Sequence, residues 1–256
     1  MPNHNLRILS PLKIAGSSGP TPPFAQGSAV EYNGIDSYNE NSTSCSVPGD
    51  TAVSIAWWTK LQAADAVLMN RRGTIADGWA ITYFPSFGGL NFQIIDNVGG
   101  EIRVSFGNVP SLSNWVFLVI TLDGTGNASG MNAYINGSLA TRVVQTDTSP
   151  NYPVPQTDPF VLGADSLGGT PSNPSSARIS WFACYSDELS ASEVSDLYNS
   201  GTPVDIRTQS WFNSSLLDDY FLPGNITGDS SSLLTNIGLG NNLTGFNSPT
   251  IVTDSP

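Results

Sequence analysis

From Ser28 onward, apolar and polar residues alternate in short runs divided by turn signals, the pattern of half-buried β-strands. Val53 to Leu61 (VSIAWWTKL) is rich in β-branched and aromatic residues, and AVLMNRRG and GWAITYFP follow it. LNFQIID and EIRVSFG flank Gly99-Gly100 as a hairpin. NWVFLVITLDG and MNAYINGSLATRVV make a second group, in which Asn136-Gly137 marks a tight turn. At least ten strands precede residue 190, at a spacing that predicts a sandwich or jelly roll rather than βαβ units. The same alternation sends Trp57 and Trp58 to opposite faces of their strand, one of them into the core.

One segment departs from this pattern. In ARISWFACYSDELSASEVSDLYNSG (Ala177 to Gly201), a strand runs into a single punctuated helix. Ser190 and Glu193 have the spacing of a capping box. Val194, Leu197 and Tyr198 fall on one stripe, and Gly201 with Pro203 ends the element. A short helix near residues 190–200 is therefore expected, its stripe packed on a sheet edge or an end of the sandwich. The two chain ends read differently. Residues 1–25 form an arm in which LRILSPLKI precedes GSSGPTPP, and Leu6, Ile8, Leu12 and Ile14 give it apolar positions for docking. Residues 205–256 have few strand-length runs and many Asn and Gly. They are expected to be an extension without its own core, serving attachment or oligomer contacts beside a sandwich at 26–204.

Composition narrows the function. Charged residues are 12% of the chain, about half the usual share, and the net charge is −12. Nine Lys and Arg are scattered singly except for Arg71-Arg72, so no basic patch exists to displace counterions from nucleic acid. No window is apolar enough to insert in a membrane. The N-terminal run, broken by Ser10, Pro11 and Lys13, does not read as a signal peptide, so synthesis in the host cytoplasm is expected. The sole imidazole, His4, lies in the arm, which removes Ser-His-Asp, Cys-His and His-metal chemistry. Cys45 and Cys184 are expected as buried free thiols, with their pairing left open.

VEYNGIDSYNE (Val30 to Glu40), VSIAWWTKL, NWVFLVITLDG, MNAYINGSLA, FVLGADS (Phe160 to Ser166) and ISWFACYSDELSASEVSDLYNSG form an ordered set. Taken together, they resemble laminin-G-like and pentraxin-like domains of the concanavalin A-like lectin/glucanase superfamily over residues 26–204. The resemblance implies an all-β, two-sheet antiparallel jelly roll whose short helix follows the penultimate strand and packs at one end as structural punctuation. Glycosidases of the superfamily carry an E-x-D-x-x-E strand, which is absent. Asp187-Glu188 with Glu193 reads as a helix entry and Asp218-Asp219 as a loop, so no catalytic residues are assigned and the protein is not expected to be an enzyme.

The resemblance also implies rim loops that bind carbohydrate or Ca²⁺. Candidates for carbohydrate are Trp79, Asn151, Tyr152 and Asp165; candidates for Ca²⁺, the sole cofactor implied, are Asp77, Asp96 and Asp165. As Asp and Asn, several of these residues serve equally well as turn formers. The tail, with its QSWFNSSLLDDYF segment and NLTGFNSPTIVTDSP ending, resembles the C-termini of lectin-fold structural proteins of tailed phages, especially marine ones. The expectation is a non-enzymatic virion protein, a capsid decoration or tail component contacting other virion proteins and sister subunits. The alternative is an adhesion module for host surface glycans.

Overall fold

The computed structural model describes residues 27–256, apart from 42, 74–76, 110–111, 155, 157, 166–171, 224–225, 227–228, 231 and 255. The expected arm lies outside the described residues. Among those described, the strands that precede the helix are β1 (Ala29–Asn33), β2 (Tyr38–Asn41), β3 (Ala52–Leu61), β4 (Ala66–Arg72), β5 (Gly78–Phe84), β6 (Gly89–Ile95) and β7 (Glu101–Ser105). They continue with β8 (Trp115–Asp123), β9 (Met131–Ile135), β10 (Ser138–Leu139), β11 (Val143–Asp147), β12 (Phe160–Leu162) and β13 (Ser176–Tyr185). Helix α1 (Ala191–Tyr198) follows, then β14 (Leu217–Phe221), β15 (Leu233–Leu234), β16 (Leu243–Phe246) and β17 (Thr250–Val252).

Two antiparallel sheets make the sandwich. One runs β10-β9-β8-β3-β13-β1-β17, with β14 also paired to β13; the other runs β11-β7-β6-β5-β4-β12-β2-β16-β15. The β6–β7 hairpin turns where the glycine pair placed it, and Asn136 (φ 51°) with Gly137 (φ 75°) supplies the two left-handed residues of the β9–β10 turn. Alternate residues of facing strands fill the space between the sheets: Ile55, Trp57, Leu118, Ile120 and Phe182 from one, Trp79, Ile81, Phe92, Ile94 and Phe160 from the other.

The eight-stranded sheet is buried on both faces. Its outward positions, Trp58, Phe117, Trp181 and Tyr185, form a second apolar cluster with Val194, Leu197, Ile206, Leu217, Tyr220 and Leu222. A register shift between Ile179 and Trp181 changes the parity of β13, so that Ile179 faces the inner core while Trp181 faces outward. The Trp181 indole N–H donates to Tyr220 Oη at 2.8 Å, which satisfies both polar groups in a dry setting. Helix α1 forms with its capping box complete: the Glu193 N–H donates to Ser190 Oγ at 3.4 Å, and the Ser190 N–H donates to Glu193 Oε2 at 2.7 Å. Its stripe covers the outer face rather than an end of the sandwich, with Tyr198 stacked 6.0 Å from Trp58 and 6.2 Å from Phe117. Trp58 is thus covered by the helix.

The sandwich does not stop at residue 204. Strands β14 and β17 join the first sheet, β15 and β16 the second, and Asp218-Asp219 lies in β14 rather than in a loop. This tail is read poorly from sequence because its strands are two to five residues long and pair with distant partners. Beyond β17, Asp254 clasps the outer face by accepting from Lys60 at 3.0 Å, Trp115 Nε1 at 3.2 Å, and Arg178.

Candidate functional site

The outer face of the nine-stranded sheet is built from the same alternation, and the described residues leave it open. On β5, Thr82 and Phe84 alternate with the core-facing Trp79, Ile81 and Tyr83; on β6, Asn91 and Gln93 alternate with Leu90, Phe92 and Ile94. With Val67 and Arg72 of β4, Arg103 of β7, Phe87, Asp165 and Asn173, these outward residues line a depression of about 270 Å³. A chain of polar contacts crosses the strands along its floor. The Arg72 guanidinium donates from Nη2 to Gln93 Oε1 at 2.8 Å and lies 3.5 Å from Asp165 Oδ2 through Nη1. Gln93 passes the chain on by donating to Glu101 Oε1 at 2.7 Å, and the same carboxylate oxygen pairs with Arg103 at 2.8 Å.

Two features of this floor suit a polyhydroxylated ligand. Asn91 donates to the Gly89 carbonyl at 2.7 Å, but its Oδ1 is buried without a partner, an acceptor left over for an incoming hydroxyl. Phe84 and Phe87 meet edge to face at 6.2 Å, and Phe87 is 66% exposed, giving an aromatic surface beside the polar floor. Asn173 is shared with a neighbouring depression of about 380 Å³ lined by Ile35, Tyr38 and Asn247. Tyr38 there stacks on Phe246 at 5.0 Å with the rings within 8° of parallel.

The residues singled out in the sequence go to five places. Trp79 is fully buried between the sheets, 5.9 Å from Phe160 and 6.4 Å from Phe92, and cannot serve as a sugar platform. Asp96 and Asn151 come together as a staple between loops. Asp96 Oδ1 accepts from the backbone N–H groups of Val98 at 2.9 Å and Gly100 at 2.7 Å, and Oδ2 accepts from Asn151 N at 2.7 Å and Nδ2 at 3.1 Å. Burial works to raise this carboxyl, but the N–H donors of Asn151, Val98 and Gly100 outweigh it and hold Asp96 below the usual carboxylate range. Its lone pairs are thereby spent on the protein.

Tyr152 is wedged where Gly49 and Gly126 leave room: a Cβ on either would come within 2.2 or 2.6 Å of its ring. Burial, then the nearby Asp147, Asp50 and Asp96 carboxylates, push its phenol up to about 12. Asp77 converges with Asp158 beside Gly73, where an added Cβ would lie 2.2 Å from one carboxylate and 2.7 Å from the other. Among the described residues, no three His, Cys, Asp or Glu side chains gather as a metal cluster, and Ca²⁺ takes six to eight oxygen ligands. Of the sequence candidates, Asp165 alone lines the open groove. Arg72, Asn91, Gln93, Arg103, Phe84 and Phe87 were missed. The signal available was the polar half of the alternation in GWAITYF, GLNFQII and EIRVS, which a search for rim loops passes over.

The family model described as the Concanavalin A-like lectin/glucanases superfamily matches residues 33–195, well over half of the chain. The chain belongs to that superfamily. Among solved structures, a candidate carbohydrate binding protein from Bacteroides ovatus is similar over 90% of this chain and 61% of its own, at 16% identity and a TM-score of 0.61. This chain therefore spans about three fifths of that protein. The CBM40 domain of the Ruminococcus gnavus IT-sialidase, solved with α2,3-sialyllactose, is similar over 66% of this chain and 96% of its own, at 16% identity and a TM-score of 0.51. The heptameric SAP-like pentraxin of Limulus polyphemus is similar over 68% and 82%, at 14% identity and a TM-score of 0.51. At these identities the likeness is one of fold. No curated protein matches the chain in sequence. The fold is thus that of the concanavalin A-like lectins and glucanases, and among the described residues no helix is long and apolar enough to cross a membrane.

Proposed function

We propose that this protein binds a glycan, without cleaving it, on the outer face of the nine-stranded sheet. One observation carries the reading: a floor of amide and guanidinium groups, with the buried Asn91 Oδ1 lacking a partner, lies beside the exposed Phe87 ring on a sheet face that no helix covers among the described residues. Sugar hydroxyls exchange hydrogen bonds with Asn91, Gln93 and Arg103, while an apolar sugar face rests on Phe87. The Tyr38–Phe246 pair in the adjoining depression gives a longer oligosaccharide a second aromatic contact, reached past the shared Asn173.

Binding is favoured over hydrolysis because the groove carboxylates Asp165 and Glu101 already engage Arg72 and Arg103. Neither is left to flank a glycosidic bond as one of two free acids. The test is a glycan array followed by calorimetry with the best ligand. Binding weakened about tenfold in Arg103→Ala, and weakened also in Phe87→Ala, supports the site, whereas a ligand indifferent to both substitutions overturns it.

Display of this module on a tailed-phage particle is a second reading, resting on the resemblance of residues 205–256. The stretch 139–144 offers a surface for it, since Leu139 (63% exposed), Val143 and Val144 lie at the edge strands β10 and β11. Mass spectrometry of purified particles tests this: the protein's presence at a fixed ratio to the major capsid protein supports it, and its absence refutes it.

A further inference from the structure

Cys45 and Cys184 come from distant parts of the chain and meet at one end of the inner core. Cys45 lies in the loop between β2 and β3 with φ +48°, and Cys184 lies near the end of β13; each is at most 1% exposed, and both belong to the inter-sheet cluster. The two thiols are close enough to act electrostatically on one another. Their backbones are fixed by a common third residue. Asp219 sits opposite Cys184 in the β13–β14 ladder, and its Oδ2 accepts from the Cys45 N–H at 2.5 Å. The Arg71 guanidinium, which donates to the Ser44 carbonyl at 3.3 Å, also lies within electrostatic reach of both sulfurs. Cys45 lines a rim cavity of about 700 Å³ bounded by Ser46, Pro48, Val53 and Asp218, so a small reagent has a way in.

We propose that Cys45 and Cys184 are a redox-closable pair whose disulfide bolts the β2–β3 rim loop to β13. A low-molecular-weight disulfide, with oxidised glutathione as the probe, supplies the oxidising equivalents. The Cys45 thiolate attacks one glutathione sulfur, forming a mixed disulfide and expelling the first glutathione thiolate. The Cys184 thiolate then attacks Cys45 Sγ, closing the protein disulfide and expelling the second. The two thiol protons end on the two glutathiones, and two electrons pass from the cysteines to the oxidant. Burial pushes both thiols up from their ordinary range, so the reduced pair is slow to react in the folded protein and closes most readily during folding. The closed form gains stability because the bridge restricts the unfolded chain across a long loop.

The experiment is refolding of the full chain from urea in a glutathione redox buffer, then alkylation in denaturant and intact-mass measurement. The expected product is ~2 Da lighter than the reduced chain, carries no glutathione or alkyl group, and yields one peptide pair joining Cys45 to Cys184. Its melting temperature should lie ~5 °C or more above that of the reduced form, a gain reversed by dithiothreitol and absent in Cys184→Ala. Two alkylated thiols, or a persistent glutathione adduct on the wild-type chain, would overturn the proposal. So would a disulfide that leaves the melting temperature unchanged or lowers it, since it would then join the cysteines at the expense of the native rim.

Discussion

The outer faces of the two sheets follow the same alternation and end in opposite states. On the eight-stranded sheet the outward positions are Trp58, Phe117 and Trp181, and the chain after residue 189 returns to cover them with α1 and the segment through Leu222. On the nine-stranded sheet the outward positions include Thr82, Asn91, Gln93 and Arg103, and among the described residues no helix packs on the groove they line. Large apolar rings exposed together would make a patch of several hundred Å², so the first face needs a cover. Amides and guanidinium groups are content with water or with a ligand's hydroxyls. The helix and tail thus mark the covered face as structural, and among the described residues they leave the other face open for the proposed binding.

Breaking the covered face should have the largest effect. Trp58→Ala removes an indole packed against Phe117 and Tyr198 and should cost about 3–5 kcal/mol in urea unfolding, with glycan affinity unchanged in the fraction that remains folded. Arg103→Ala attacks the open face. It should weaken glycan binding about tenfold, or about 1.4 kcal/mol by calorimetry, while moving stability little, because its side chain is 40% exposed. If the two variants exchanged phenotypes, the division between the faces would be wrong.

Removing the helix cap sharpens the same contrast at smaller scale. Ser190→Ala should cost about 1 kcal/mol, read by thermal unfolding, and leave the groove's affinity intact. The Asp254 clasp tests the cover by pH. Burial acts to raise this carboxyl, but Lys60, Arg178 and Trp115 outweigh it and hold Asp254 below its ordinary value. With the folded pKa depressed, its contribution is present above the unfolded value of about 3.9 and is lost as pH falls through the folded one. Asp254→Asn should therefore lower stability by about 1 kcal/mol or less at pH 7, and the gap to wild type should close in melts below pH ~4.

Much of this fold was legible in the sequence, for a local reason. Strand alternation in VSIAWWTKL, the Asn136-Gly137 turn and the Ser190-Glu193 capping box are each encoded by neighbours in the chain, and each forms as expected. The tail was not legible. Leu233–Leu234 and Thr250–Val252 become strands only because β16 and β1 are there to receive them. The site candidates fared similarly. Trp79, Asp96, Asn151 and Tyr152 bear binding chemistry by residue type, but packing encloses Trp79 and wedges Tyr152, and Asp96 and Asn151 are spent on stapling two loops. Gln93 and Arg103 look like ordinary polar strand positions until five strands are laid side by side.

By itself the sequence determined that this chain is an all-β sandwich with one helix, that Trp57 and Trp58 face apart, and that its one imidazole belongs to His4, ahead of the strand-forming region. These follow from period, turn chemistry and composition, which act over a few residues or over the whole chain at once. Tertiary structure alone decided which outer face is covered, that residues beyond 204 complete both sheets, that Cys45 meets Cys184, and that Arg72, Gln93, Glu101 and Arg103 form one line. Those are contacts between residues far apart in sequence, fixed by register and by shifts such as that between Ile179 and Trp181 in β13, and no local pattern carries that information.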